Sequence, residues 1–221
     1  MTRAELLAEL RDVLDDTRTP FAWSDMRLLG YLSEGQDKFC EETGLFSVVE
    51  SLALEAGVLS YAIPPRTIQV LDVLYRGRSL QKMLMNDSYW RMPAMPPVAA
   101  PQAWQADLMT GRIILDGTPP ASLGGQLLEL RLWKYSEHEL SSMPDGQPAQ
   151  PALPSTLQRA CVEWAAAKAL NHHDREEQDP VKAIDHREEF RRYVTDGKKW
   201  ARRYASFEMS VGSNPSYVVS P

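Results

Sequence analysis

The sequence predicts an α+β protein: a four-helix bundle built from both chain ends, an inserted β-rich block, and an extended C-terminal arm. Three observations lead there. Apolar residues recur at helical spacing near both ends of the chain. Between them, residues 45–135 hold short β-branched and apolar runs broken by glycine and proline. The last sixteen residues, 206–221, have no helical period and include Gly212, Pro215 and Pro221. The expected division is 1–44, N-terminal helical hairpin; 45–140, inserted β-rich domain; 141–154, Pro-rich linker; 155–205, C-terminal helices; and 206–221, extended arm.

Thr2 and Glu5 spell a capping box, Thr-x-x-Glu, before the stripe Leu6, Leu7, Leu10, Val13 and Leu14. This first helix should end near Asp16, and Pro20 cannot continue it. Ser24 is placed to cap a second helix with Leu28, Leu29, Leu32, Gln36, Phe39 and Cys40 on its inner face. Gly35 lies in that face, where the missing side chain would let a neighbouring helix come close. Gly44 is suited to a left-handed C-terminal cap. The runs 45–54, 58–63, 67–75, 79–85, 103–109, 112–116 and 126–135 read as strands, with a short helical turn at 86–92. Pro64-Pro65 belongs at a strand start or edge, since proline donates no ladder hydrogen bond. Ser155 should cap a third helix with Leu157, Ala160, Cys161, Trp164 and Lys168 on one face. Asp179-Pro180 opens a fourth, running to about Tyr204, because proline is well tolerated at the first helical position.

Composition narrows the function. The chain has 221 residues, with Lys+Arg 24 against Asp+Glu 30, a net charge of −6. That disfavours wholesale nucleic-acid binding. No apolar run is long enough to span a membrane, so no membrane partner is expected. The two cysteines, Cys40 and Cys161, form no metal or redox motif and read as packed core thiols in a cytoplasmic, soluble chain. No nucleophile motif or phosphate-binding glycine loop is present, so neither an enzyme nor a cofactor is expected. His172, His173 and Asp174, with Asp179 and His186, are the one candidate metal cluster. Adjacent helical residues point about 100° apart, so the reading is a polar turn without a metal. Arg191, Arg192, Lys198, Lys199, Arg202 and Arg203 form a basic stretch interrupted by Asp196, a candidate partner-facing surface. Met209, Val211, Tyr217, Val218 and Val219 make the arm apolar, with Glu208 its single charge.

The opening LLAELRDVLDDTRTPFAWSDMRLLGYLSEGQDKFCEETGLF, the segment YAIPPRTIQVLDVLYRGRSL and the helix STLQRACVEWAAAKAL together resemble the head-to-tail adaptor (connector) proteins of tailed bacteriophages. The resemblance implies a structural virion protein at the capsid–tail junction, made in the host cytoplasm. It implies a ring of this chain, usually a dodecamer, bound beneath the portal protein. Such a ring extends the DNA channel, lets genomic DNA pass without specific binding, and offers a surface to a tail or nozzle protein. It also implies that residues 206–221 dock into the portal, and that there are no catalytic residues to carry over. The alternatives are another connector layer, such as a stopper or tail-completion protein, and an enzyme with a cryptic site.

Overall fold

A computed structural model describes residues 1–83, 98–136, 140, 153–171 and 179–210; the side chains of 204–210 are not described. The fold is α+β, with helices α1 (Arg3–Val13), α2 (Asp25–Thr43), α3 (Arg159–Leu170) and α4 (Pro180–Ser210). The strands are β1 (Ser47–Ala53), β2 (Ser60–Ala62), β3 (Thr67–Tyr75), β4 (Arg78–Ser79), β5 (Gln81–Lys82), β6 (Ala103–Asp107), β7 (Arg112–Leu115) and β8 (Leu127–Lys134). The chain divides into two compact units, 1–45 with 136–221, and 46–135.

In the helical unit, Thr2 Oγ1 accepts from the Glu5 N–H at 3.2 Å and Glu5 Oε2 accepts from the Thr2 N–H at 2.7 Å. Both halves of the capping box are therefore made. α1 stops at Val13, before the expected Asp16, because the Asp16 carboxylate turns inward. It accepts from the Ala22 and Trp23 N–H groups at 2.7 and 3.2 Å and pairs with Arg11 at 2.5 Å. Arg11 also pairs with Asp25, donates to the Trp23 carbonyl at 3.0 Å and lies 3.9 Å above the Phe21 ring. One buried guanidinium thus ties the loop between α1 and α2. Ser24 occupies the N-cap of α2 but makes no side-chain cap bond. Gly44, at φ 68°, closes α2 with its N–H on the Cys40 carbonyl at 3.1 Å.

α3 packs against all three other helices, and its burial corrects the sequence reading. One apolar face was expected; instead Ala160, Cys161, Val162, Glu163, Ala165, Ala166, Ala167 and Ala169 are all buried. A helix surrounded by neighbours shows no single stripe, and small residues let those neighbours approach on every side. Ser155 does not cap it: residues Ser155–Leu157 form a 3-10 turn, and α3 begins after Gln158, whose amide donates to the Leu153 carbonyl at 3.0 Å.

Gly35 sets the spacing of α2 and α3. A Cβ there would lie 3.0 Å from the Cys161 carbonyl oxygen and 3.1 Å from Trp164 Cβ. Gly197 does the same for α4 against α2, since a Cβ would meet Phe39 Cζ at 2.6 Å and Thr43 Cγ2 at 2.8 Å. Phe190 fills the space between them, 5.0 Å from Trp164 and 6.3 Å from Phe39 by ring centroids. Asp179 caps α4, its Oδ1 accepting from the Lys182 N–H at 3.0 Å. α4 then runs to Ser210, which corrects the expected end near Tyr204: residues 206–210 are helical, not extended. They contain neither glycine nor proline, so propagation continues until the chain nears Gly212.

The β unit holds two four-stranded sheets, in the orders β1-β8-β3-β4 and β2-β7-β6-β5. All pairs are antiparallel except β5 with β6. β1 and β8 alternate between exposed and inward positions, as a half-buried strand requires. Both sheets contribute to one core: Val70, Val73, Leu128, Leu130 and Leu132 from the first, Tyr61, Trp104, Ile113 and Leu115 from the second. Trp104 Nε1 donates to the Leu80 carbonyl at 3.2 Å, so the largest core side chain leaves no polar atom stranded. The unit's first and last strands are partners, with Ser47 opposite Trp133 and the Lys134 N–H on the Phe46 carbonyl at 2.9 Å. The chain therefore enters and leaves the unit side by side. Pro64-Pro65 precedes β3, outside the ladder. The turn expected at 86–92 and most of the linker at 141–154 lie outside the described residues.

The two glycines of α2 give opposite predictions. Nothing lies within 4 Å of a Cβ at Gly30, so Gly30→Ala should stabilise by about 0.5–1 kcal/mol through helix propensity alone. At Gly35 the same gain is overridden by contact with backbone that cannot rotate away, so Gly35→Ala should destabilise by about 1–3 kcal/mol. Denaturant unfolding of both variants decides this; a Gly35→Ala midpoint at or above that of the parent would refute the packing account.

Candidate partner-binding surfaces

The six basic residues of the predicted stretch all project from α4 and are all exposed. They do not form one surface. At 100° per residue they fall on two flanks of the solvent side. Arg192, Lys199 and Arg203 share one flank with Asp185, Glu188 and Asp196. There the charges cancel locally: Arg192 pairs with Glu189 and Lys199 with Asp196, each at 2.8 Å. Arg191, Lys198 and Arg202 share the other flank with Arg187, an exposed residue the sequence reading left out. Its place four positions before Arg191 was the available signal. None of these four makes an ion pair among the described residues. Tyr193 and Trp200, which interleave the basic residues, are half-buried on the opposite side of the helix. Burial raises the Tyr193 hydroxyl above its ordinary value, against the pull of Arg159.

The proposed arm is only partly in view. Met209 lies in the last turn of α4, whereas Val211, Tyr217, Val218 and Val219 lie outside the described residues.

The candidate metal cluster is not assembled from what is described. His172, His173 and Asp174 lie outside the described residues. Asp179 is committed to capping α4, and His186 Nδ1 lies 2.6 Å from the buried Glu163. Glu163 also meets Arg159 at 3.3 Å, and Arg159 reaches Glu9 of α1 at the same distance. This polar network joins α1, α3 and α4 and was missed in the sequence, because Glu163 sits in a run that reads as apolar helix. Burial lowers the Arg159 guanidinium, but the adjacent Glu9 and Glu163 more than offset it and leave it above its ordinary value. Among the described residues, no group of three or more His, Cys, Asp or Glu side chains could hold a metal ion.

Cys40 and Cys161 are both buried and not joined in a disulfide. Burial, with Cys40 beside it, pushes the Cys161 thiol far up, so it is not a thiolate nucleophile. The open depression at the loop between α1 and α2 is lined by Arg11, Phe21, Trp23 and Asp25. Its one cation, Arg11, is already engaged by Asp16, Asp25 and the Trp23 carbonyl. No helix among the described residues is long and apolar enough to cross a membrane.

The comparison with known families is specific: the family model for the SU10 adaptor protein matches residues 1–212. The chain belongs to that family, a family of phage head-to-tail adaptors. No curated protein matches the chain.

Asp179 supplies a pH test of the α4 cap. The Lys182 N–H, aided by the Lys182 charge, holds its carboxyl below the ordinary carboxylate value. A carboxyl lowered on folding stabilises above its unfolded value, and that contribution is lost as pH falls through the lowered folded value. A carbon-detected NMR titration should give Asp179 a midpoint below the ordinary carboxylate value, with the first turn of α4 fraying as the group protonates. Asp179→Asn keeps an acceptor and should remove the pH dependence; a normal Asp179 midpoint would contradict the cap.

Proposed function

We propose that this chain is a structural virion protein that forms a ring beneath the portal, extends the DNA channel and provides the attachment surface for the tail. The observation that carries this is the match of the adaptor family over nearly the whole chain. The partners are the portal protein, a tail or nozzle protein and further copies of the chain, in a ring of twelve. Genomic DNA passes without specific binding: multiplied around a ring, a net charge of −6 per chain gives a strongly negative assembly that repels the duplex. The protein acts at the capsid–tail junction, is made in the host cytoplasm, and performs no catalysis.

Two surfaces serve as contacts in this reading. The basic stretch Arg191, Arg192, Lys198, Lys199, Arg202 and Arg203 faces a protein partner. The arm carrying Met209, Val211, Tyr217, Val218 and Val219 docks into the portal. Its working part begins after α4, since the helix runs to Ser210. An extended segment adds to a sheet edge through backbone hydrogen bonds, while alternate side chains enter pockets. Ordering such a segment would cost conformational entropy, which portal binding has to offset.

Mixing the protein with the portal of its own phage tests both statements. Electron microscopy should show an added ring on the portal. Truncation after Ser210 leaves every described helix intact; it should leave the melting temperature nearly unchanged and abolish stable portal binding. Normal yields of portal-bound truncated rings would eliminate the arm as the anchor, and a full-length chain that never binds portal would eliminate the adaptor reading.

A further inference from the structure

From the two helices at the outside of the helical unit, we infer that neighbouring copies of this chain are joined by the basic ridge of α4 on one copy and an acidic stripe of α1 on the next. This rests on the ring reading and names the contact that closes the ring.

Arg187, Arg191, Lys198 and Arg202 lie within a sector of about 60° and span about 22 Å of α4, from 1.5 Å of rise per residue. All four are exposed, and no acidic side chain falls within the sector. The row is preceded on the same flank by Ile184, 55% exposed, with Val181 nearby at 69%. A solvated helix face needs neither a single sign nor an exposed isoleucine; the opposite flank of α4, with its alternating charges and i,i+3 pairs, is what such a face looks like.

The complement lies on α1. Glu5, Ala8 and Asp12 are all exposed and follow at steps of three and four, along the face opposite the buried Leu6 and Leu10; Asp15, also exposed, lies just past the helix end at φ 57°. Asp12 and Asp15 have no ion pair among the described residues, and Glu5 meets only the Thr2 N–H of its own cap. Ala8 leaves the middle of the stripe low enough for another helix to approach. The spacings agree: Glu5 and Asp12 are seven residues apart, as are Arg191 and Lys198, so both pairs stand about 10.5 Å apart along their axes. Run antiparallel, Asp12 faces Arg191 and Glu5 faces Lys198. The same register brings the apolar ends together. Phe21 and Met26, 47% and 85% exposed, follow the acidic stripe in sequence, as Ile184 and Val181 precede the basic row.

A second copy fits this ridge better than the other anionic candidates. Each chain carries both halves of the match on different helices, so the contact is heterologous, and a heterologous contact that closes generates a ring. Duplex DNA would be met by a basic row, but it gives no role to the acidic stripe or to the matched spacing.

Charge reversal tests it with side chains that are all exposed. Arg191→Glu, and separately Asp12→Lys, should leave the melting temperature nearly unchanged. Each should weaken self-association at least about tenfold, by sedimentation of concentrated protein at low salt and by ring yield on the portal. A 1:1 mixture of the two variants should recover association, because each supplies the partner the other lacks. The double variant Arg191→Glu/Asp12→Lys should recover it too. Wild-type rings on the portal with reversed variants that assemble equally well would overturn this contact and leave the adaptor reading standing. Loss on reversing α4 without recovery in the mixture or the double variant would assign the ridge to the portal, tail or DNA instead of a second copy. A wild-type chain that stays monomeric with and without portal would overturn both.

Discussion

The approach of α2 to α3 at Gly35 is the constraint on which the helical unit depends. With no side chain at that position, the α3 backbone comes within van der Waals reach of α2. α3 answers with alanines and Cys161, which is why a twelve-residue helix can be buried on nearly every side. Close backbone packing leaves little room for large side chains, so the few present have fixed places. Leu32 and Phe39 are fully buried, and Phe190 wedges between Trp164 and Phe39. Gly197 repeats the device where α4 meets α2. A core of this kind has few alternative packings, because a small-residue contact cannot be refilled by rotamer changes.

The polar interactions reinforce the same arrangement at its margins. Arg11 gathers Asp16, Asp25 and the Trp23 carbonyl, fixing the turn that sets α2 beside α1. Glu163 holds Arg159 and His186, while Arg159 reaches Glu9, so three helices meet at one buried carboxylate. Removing one member of such a group costs more than the pair contributes, because the remaining charge is left buried without a partner. The β unit solves a separate problem. An insert interrupts a helical unit without disrupting it when its two ends lie together, and pairing of its first strand with its last achieves that.

Much of this was legible in the sequence because local rules governed it. The Thr2–Glu5 box, Gly44 as a left-handed cap, Asp179-Pro180 at a helix start and the alternation in β1 and β8 each depend on a few neighbouring residues. Gly35 was legible because a glycine inside an apolar helical face has few other uses. The misreadings share one cause: a pattern can show periodicity, but not how many neighbours an element has. Ala160 to Ala169 was read as a one-faced helix and is buried nearly all round. Glu163 could not be recognised as a buried hub, since its partners lie 4 and 23 residues away. The helix end at Ser210 was missed because Gly212, Pro215 and Pro221 suggest that 206–221 is one extended segment, while an established helix continues until something stops it. The basic stretch was read along the chain as one block, whereas helical geometry divides it into two flanks of different character.

That division bears on how a net-negative chain can carry a basic contact at all. Overall charge governs the field at distances beyond the Debye length, about 8 Å at physiological salt, and there a charge of −6 dominates. At contact distance only the side chains actually apposed matter. Arg187, Arg191, Lys198 and Arg202 then present a single sign, because their acidic neighbours on α4 are turned away from them, and Glu189 and Asp196 are paired with Arg192 and Lys199. Long-range repulsion between copies and short-range attraction between helices therefore coexist. Under the proposed contact, such a chain would stay dispersed when dilute and associate where a surface holds copies side by side. The stiffness of the small-residue core is what makes this workable, since charges must stand in register along two helices to be matched. A loosely packed unit with the same net charge and the same basic residues would present no fixed register, and its attraction would be lost to rearrangement.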